Sequence, residues 1–321
     1  MAIPASLSQA TNRTFGAQPG PAGSSGRFLG IAAGWWFVAP ALVIVGAFFL
    51  GPIAASFVLS VTDFDIYALA DWRNLRFSGG QNFSRLLVGE QSGVFWQALK
   101  NTCYFVLVGG PLSVLVSLGA ALLLEAKLAR WKGLLRVVFF APVVTTLVAT
   151  SIVWRYLYHG KYGLINHALE SLGVDPIDWL GDPRWAMPAI IVMAVWKNFG
   201  YNMVIFMAGL QSIPTELYEA AALDGATPAR RFVYVTLPAL APTFLFVGVT
   251  TMIGCFQLFA EPYVMTRGGP EGSTYSLVML MYEEGFRWWR LGAASAAALV
   301  LFAITLAAAA VQMSLQRRAL A

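Results

Sequence analysis

Charge is what this chain has least of. Only 12% of its 321 residues are Asp, Glu, Lys or Arg, against 58% hydrophobic, and the mean hydropathy is +0.66. Soluble domains carry roughly 25% charged residues, so this composition cannot build a water-facing surface. Cysteine is scarce too. Cys103 and Cys255 both lie inside apolar runs, which excludes a disulfide framework and a thiolate metal site. His159 and His167 stand isolated in a polar segment, and no H-E-x-x-H pair exists for metal-assisted hydrolysis inside a membrane. No G-x-x-x-x-G-K-[ST] loop occurs either. Without that phosphate cradle the chain is not expected to hydrolyse ATP itself. The net charge of +5 does not signal nucleic acid, because the basic residues are scattered between apolar blocks without interleaved aromatics. A modest basic excess fits contact with an anionic leaflet.

What the chain does have is long stretches with no charge at all. Ile31–Thr62, Asn101–Leu124, Val137–Trp154, Phe232–Ala260 and Leu291–Gln316 are all charge-free, and Met187–Leu210 is interrupted only by Lys197. A helix needs about 20 apolar residues to cross a bilayer core. Run length and the lack of strict alternation imply helices rather than strands. The expected fold is an all-α integral membrane bundle of six transmembrane helices. Residues 1–30, rich in Ser, Gly, Ala and Pro, read as a flexible tail, 31–316 as the transmembrane domain and 317–321 as a short second tail. The apolar run after the first tail is too long for the core of a secretory signal.

Lys127, Arg130, Lys132 and Arg136 between the second and third spans place that loop in the cytoplasm. Parity then puts both termini inside, in agreement with Arg317 and Arg318. Counted over all loops, the basic residues divide evenly, so the orientation rests on that loop and the C-terminal end. Three long connections, near 63–100, 155–186 and 263–290, fall outside and hold most of the carboxylates, among them Asp63, Asp175 and Asp182. Trp35, Trp36, Trp96, Trp154, Trp288 and Trp289 sit near the expected membrane edges as an aromatic belt.

The informative segment is the inside loop at about 213–237. Thr215 can cap a helix carrying Glu216 and Glu219 in its first turns. Gly225 ends that helix, and Thr227-Pro228 starts another, followed by Arg230 and Arg231. Ala220 and Ala221 give a low-relief surface that another protein can approach, with Glu219 and Asp224 at its rim. On these residues alone, an amphipathic helix lying on the membrane surface is an equal reading.

Glu219-Ala220-Ala221, Asp224-Gly225 and Leu237-Pro238, at these spacings, resemble the cytoplasmic EAA loop of binding-protein-dependent ABC importer permeases. Pro262-Tyr263-Val264-Met265-Thr266 with Arg267-Gly-Gly-Pro270, and Trp196 with Tyr201, are similar to the carbohydrate branch, the maltose and sn-glycerol-phosphate type. The resemblance covers roughly residues 31–318. It implies a type I importer bundle in a bacterial-type inner membrane, with coupling helices that dock on an ATPase subunit. Glu219, Ala220, Ala221, Asp224 and Gly225 would be the docking residues. It further implies an ATP-binding subunit dimer carrying ATP and magnesium, a second permease subunit of different sequence, an external solute-binding protein and a sugar-type solute.

Polar groups within spans are costly and tend to mark pathways. In the fourth span Lys197 shares a helical face with Tyr201, and Asn198 with Asn202. In the fifth, Thr251, Gly254, Cys255, Gln257, Leu258 and Glu261 recur at three- or four-residue spacing or directly beside it. These two faces are the expected solute path. The competing reading makes Lys197 a snorkelling residue or the partner of Glu261, and the amides bridges between helices. An ion-gradient-driven secondary transporter is the alternative function, although neither inverted repeats nor buried acidic ion-coupling residues are visible.

Overall fold

The computed structural model describes residues 24–320 except 72, 74, 91 and 127–130, with no side-chain description at 24–34, 69, 70 and 316–320. Residues 1–23 of the expected tail, Lys127, Arg130 and the side chains of Arg317 and Arg318 therefore lie outside the described residues. Among those described, helices dominate, and the β-pairing is an isolated bridge between Thr62 and Phe77. The chain falls into two compact units, Met1–Ala54 and Ala55–Ala321.

Among the described residues, four helices are long and apolar enough to cross a membrane: α1 (Trp35–Ser60), α2 (Ser92–Glu125), and two more at Pro183–Gln211 and Leu291–Leu315. Two bent pairs raise the number to six when each counts as one span. The helix containing α1 starts at Ser24, so residues 24–30 of the expected tail are helical. The expected single helix at Val137–Trp154 is in fact α3 (Lys132–Val144) and α4 (Leu147–Leu157), bent by 101°. Pro142 and the extended Thr145–Thr146 backbone make that break, and the Thr146 hydroxyl caps α4. A short helix, α5 (Leu164–Ser171), precedes the fourth span, α6 (Pro183–Gln211).

After α6 comes α7 (Thr215–Leu223), then α8 (Pro228–Ala239) and α9 (Ala241–Phe256), the last two bent by 65°. The apolar run expected as one helix to Ala260 thus breaks at Leu240 and ends at Phe256. A short α10 (Ala260–Met265), α11 (Leu277–Tyr282) and the last helix, α12 (Leu291–Leu320), complete the chain.

Proline accounts for the irregularities inside the spans. Three π-turns, Gly46–Leu50, Phe105–Gly109 and Phe232–Thr236, are followed by Gly51-Pro52, Gly110-Pro111 and Leu237-Pro238. A proline lacks the N–H, and its ring crowds the carbonyl four residues back. Those carbonyls belong to Phe48, Leu107 and Tyr234, each inside its π-turn. Widening the turn relieves the crowding without breaking the helix. A fourth π-turn, Glu283–Arg287, has no proline behind it.

The fourth span is the centre of the Ala55–Ala321 unit. Ile190, Met193, Met203 and Phe206 on α6 are fully buried, and Leu118, Ala121 and Leu124 on α2 belong to the same core as Met203 and Phe206. Small residues let the helices approach. A side chain at Gly200 would collide with the Phe139 carbonyl oxygen of α3.

Polar ties at the two ends of the bundle set the alternation of the spans. At one end, Gln211 Nε2 donates to Glu125 Oε1 at 2.7 Å, joining α6 to α2. At the other, Asn101 Nδ2 donates to the Gly272 and Tyr275 carbonyls at 2.7 and 2.9 Å, and Gln97 Nε2 donates to the Glu271 carbonyl. The Arg267-Gly-Gly-Pro270 stretch leads into that second, clamped loop. Overpacking a close crossing costs about 1–3 kcal/mol. Gly200→Val is therefore expected to lower the melting temperature of the detergent-purified protein, while Gly119→Val, where nothing lies within 4 Å, leaves it near the parent value.

Candidate functional site

A cavity of about 550 Å³ opens between α2, α6, α9 and the α3–α4 elbow. Asn198, Tyr201 and Asn202 face it from α6, and Thr251, Gly254 and Cys255 from α9. Gln257, Leu258 and Glu261 continue the wall where α9 has ended, since Gln257 is its C-cap and Phe259 is non-helical. Non-helical backbone at membrane depth is tolerated where it lines a cavity. The carbonyl of Leu258 is satisfied there by the Ser276 hydroxyl at 2.6 Å. Asn202 Nδ2 donates to Thr251 Oγ1 at 2.9 Å and ties the two main walls together. Asn198 Nδ2 donates to the Ala194 carbonyl of its own helix at 3.0 Å. Tyr201 is half exposed, its ring open to the cavity.

Lys197 is the one expected pathway residue that does not line this cavity. Its side chain turns to the end of α3, where Nζ donates to the carbonyls of Thr145 at 2.9 Å, Pro142 at 3.2 Å and Val143 at 3.5 Å. The last carbonyls of a helix have no partner within it, and a cation at that end is favoured by the helix dipole. The ammonium, only 7% exposed as a residue, thus stands in for the hydrogen bonds the break removes. Among the described residues the ion pairs are His167–Glu170, Asp182–Arg184, Glu283–Arg287 and Glu284–Arg290, so Lys197 and Glu261 do not form one.

Two further walls lie outside the two faces expected from the sequence. Val143 and Leu147, on either side of the elbow, line the cavity, as do Phe105, Gly109 and Ser113 on α2. The signal for the second wall was Gly109-Gly110-Pro111 in mid-span, where an irregular turn was to be expected. For the first, Pro142 was the one sign in the apolar run around Val143.

At the end of the bundle marked by Glu125 and Gln211, α7 lies at the surface and touches the core only through the half-buried Tyr218. None of its residues is buried, and Leu223 is 90% exposed. Glu219, Ala220, Asp224 and Gly225 are exposed, and Ala221 is partly so. Thr215 is the first helical residue rather than the cap, a place taken by Pro214 without a side-chain bond. The far end closes as the spacing suggested. Gly225 has φ +72°, Gly225 N donates to the Ala222 carbonyl at 3.1 Å, and Ala226 N donates to the Ala221 carbonyl at 2.9 Å. This Schellman arrangement needs a left-handed residue, a conformation glycine adopts without strain. Thr227 then caps the first turn of α8. A hydrogen bond of 3.0 Å between the Tyr218 and Thr236 hydroxyls ties α7 to α8.

Residues 113–320 match the family described as "Binding-protein-dependent transport system inner membrane component". The chain is 40% identical over 259 residues to the lactose transport system permease protein of Rhizobium radiobacter, covering 79% of this chain and 84% of that one. It is 33% identical to the trehalose/maltose transport system permease protein of Thermococcus litoralis, covering 81% and 84%. Against the sn-glycerol-3-phosphate transport system permease protein of Agrobacterium fabrum it is 34% identical, covering 86% and 91%. A chain of a solved bacterial ABC transporter that imports the acidic polysaccharide alginate superposes with a TM-score of 0.74 at 21% identity, over 91% of this chain and 99% of that one. That likeness is one of fold.

Removing the Lys197 ammonium takes its charge-assisted hydrogen bonds from the carbonyls at the end of α3, at a cost of about 1–3 kcal/mol. Lys197→Met is accordingly expected to lower the melting temperature in detergent. Asn198→Leu, which breaks only a bond within α6, is expected to leave it nearly unchanged.

Proposed function

Since the chain belongs to the family of inner membrane components of binding-protein-dependent transport systems, and is the permease subunit of such a system, we propose that its solute is a sugar held in the α2–α6–α9 cavity. The observation that carries this reading is the cavity wall itself. Tyr201 presents a half-exposed ring that can stack on a pyranose face, and Asn198, Asn202, Thr251 and Gln257 surround it with amide and hydroxyl groups. Relatives whose names state lactose and trehalose/maltose transport favour a saccharide. The relative named for sn-glycerol-3-phosphate keeps a small phosphorylated polyol as the competing solute class. An ion-gradient mechanism has nothing in its favour.

In this reading ATP is bound and hydrolysed, with magnesium, by a partner ATP-binding dimer. The exposed α7, with Glu219, Ala220 and Ala221 on it and Asp224-Gly225 at its end, is the docking element for that dimer. Both termini lie in the cytoplasm with it. The loops at the Asn101 and Gly272 end face outward and receive the solute-loaded binding protein. A second permease chain of different sequence completes the membrane pore. Closing of the ATPases moves α7, and the cavity passes from inward to outward access.

Two measurements test this. The tagged chain, purified gently from its native host, should bring an ATP-binding subunit and a second permease with it. Gly225→Val, strained at a positive φ, should lose the ATPase while keeping the second permease. If the parent chain purifies alone, the docking assignment is wrong. In whole cells, deletion of the chain should abolish uptake of radiolabelled lactose or maltose, and Gln257→Leu should reduce it at least several-fold. Unchanged uptake of both sugars in the deletion strain would remove the sugar reading.

A further inference from the structure

Ser113 lies on α2 two residues past Pro111 and lines the cavity below Phe105 and Gly109 in the chain. The residue is 5% exposed, and its Oγ has no hydrogen-bond partner. Two other buried hydroxyls on this helix are satisfied by the carbonyl one turn back. Thr102 donates to the Ala98 carbonyl at 2.8 Å, and Ser117 donates to the Ser113 carbonyl at 2.6 Å. The same bond for Ser113 would need a carbonyl from Gly109 or Gly110, where the Phe105–Gly109 π-turn meets the resumed α-helix. Neither provides it.

A buried hydroxyl without a partner lowers stability, and native structures keep such groups few. Several other side chains of the cavity wall are already engaged. Thr251 Oγ1 accepts from Asn202, Thr250 Oγ1 donates to the Phe246 carbonyl, and Asn198 donates to the Ala194 carbonyl. Ser113 is the buried hydroxyl of that wall still without a partner.

We infer that Ser113 is a solute contact, exchanging a hydrogen bond with a hydroxyl of the molecule held in the cavity. The solute site is then built by three spans, α2, α6 and α9, instead of two. A sugar hydroxyl suits the position because it can either donate to or accept from the serine oxygen. This step rests on the sugar reading for its probe, though not for its geometry.

The test compares the parent transporter complex, purified with its partner subunits, with the complex carrying Ser113→Ala. The first reading is the melting temperature without solute. Deleting an unpaired buried hydroxyl is expected to leave it unchanged or raise it. A fall would mean that the hydroxyl is structural, and would overturn the inference. The second reading is the Kd for radiolabelled lactose by equilibrium dialysis, with maltose in parallel. Loss of one neutral hydrogen bond is expected to weaken binding roughly three- to tenfold. An unaltered Kd beside an unaltered melt would also overturn the inference. If the parent complex binds neither sugar, the sugar reading fails on its own. Radiolabelled sn-glycerol-3-phosphate then replaces the probe, and the same two readings decide Ser113.

Discussion

A hydrocarbon interior offers no partner to a backbone carbonyl, so every interruption of a spanning helix must be satisfied from within the protein. This chain interrupts its helices often and meets the requirement by several devices. Where proline removes a donor inside a span, the helix widens into a π-turn and continues. Where α3 ends in mid-bundle, the Lys197 ammonium takes up the carbonyls of Pro142, Val143 and Thr145. Where α9 ends, the Ser276 hydroxyl takes up the carbonyl of Leu258. A lysine in a span is expensive in isolation. Here its charge is set against the negative end of a helix, which is where a buried cation costs least.

Three of the interruptions meet. The π-turn at Phe105–Gly109, the elbow at Thr145–Thr146 and the unwound stretch at Gln257–Phe259 all face one cavity. A regular helix presents side chains to its neighbours and keeps its backbone covered. Departures from regularity leave the gaps that neighbouring helices cannot fill. The cavity is the sum of three such gaps, and the polar residues of α6 and α9 are set around it. Lys197 sits behind this wall and holds the elbow whose flanks, Val143 and Leu147, form part of it.

The spans were legible because charge avoids a bilayer, and their absence of charge needed no knowledge of packing. The helix–glycine–helix order of the 213–237 loop was legible because Gly225 and Thr227-Pro228 carry local backbone preferences. Packing decisions were not. Lys197, Asn198 and Tyr201 lie within one turn of the same helix, and only the neighbour each meets separates a helix clasp from a cavity wall. The bend between α3 and α4 was hidden for the same reason. Pro142 advertises a weak point, but the 101° angle follows from what Lys197 and Gly200 allow α3 to pack against. Ser113 escaped notice because a lone serine in an apolar helix ordinarily bonds its own backbone, and only the missing bond sets it apart from Ser117.

The ties around α7 give the proposed cycle its mechanical route. α7 follows α6 after only Ser212, Ile213 and Pro214, so it cannot move without loading the helix that carries Asn198, Tyr201 and Asn202. The Tyr218–Thr236 hydrogen bond loads α8 in the same way, and α8 leads through the 65° bend into α9. Gln211 holds Glu125 at the end of α2, which brings the third wall into the same linkage. All three helices lining the cavity are thus fastened within a few residues of one exposed helix, whereas their opposite ends are clamped to the Glu271–Tyr275 loop through α2 alone. A push on α7 meets a bundle tied at both ends but bent in the middle, so the compliant points are the breaks at Thr145 and Leu240. Those breaks flank the cavity or the helix that forms its wall, so a bend at either one changes the shape of the wall.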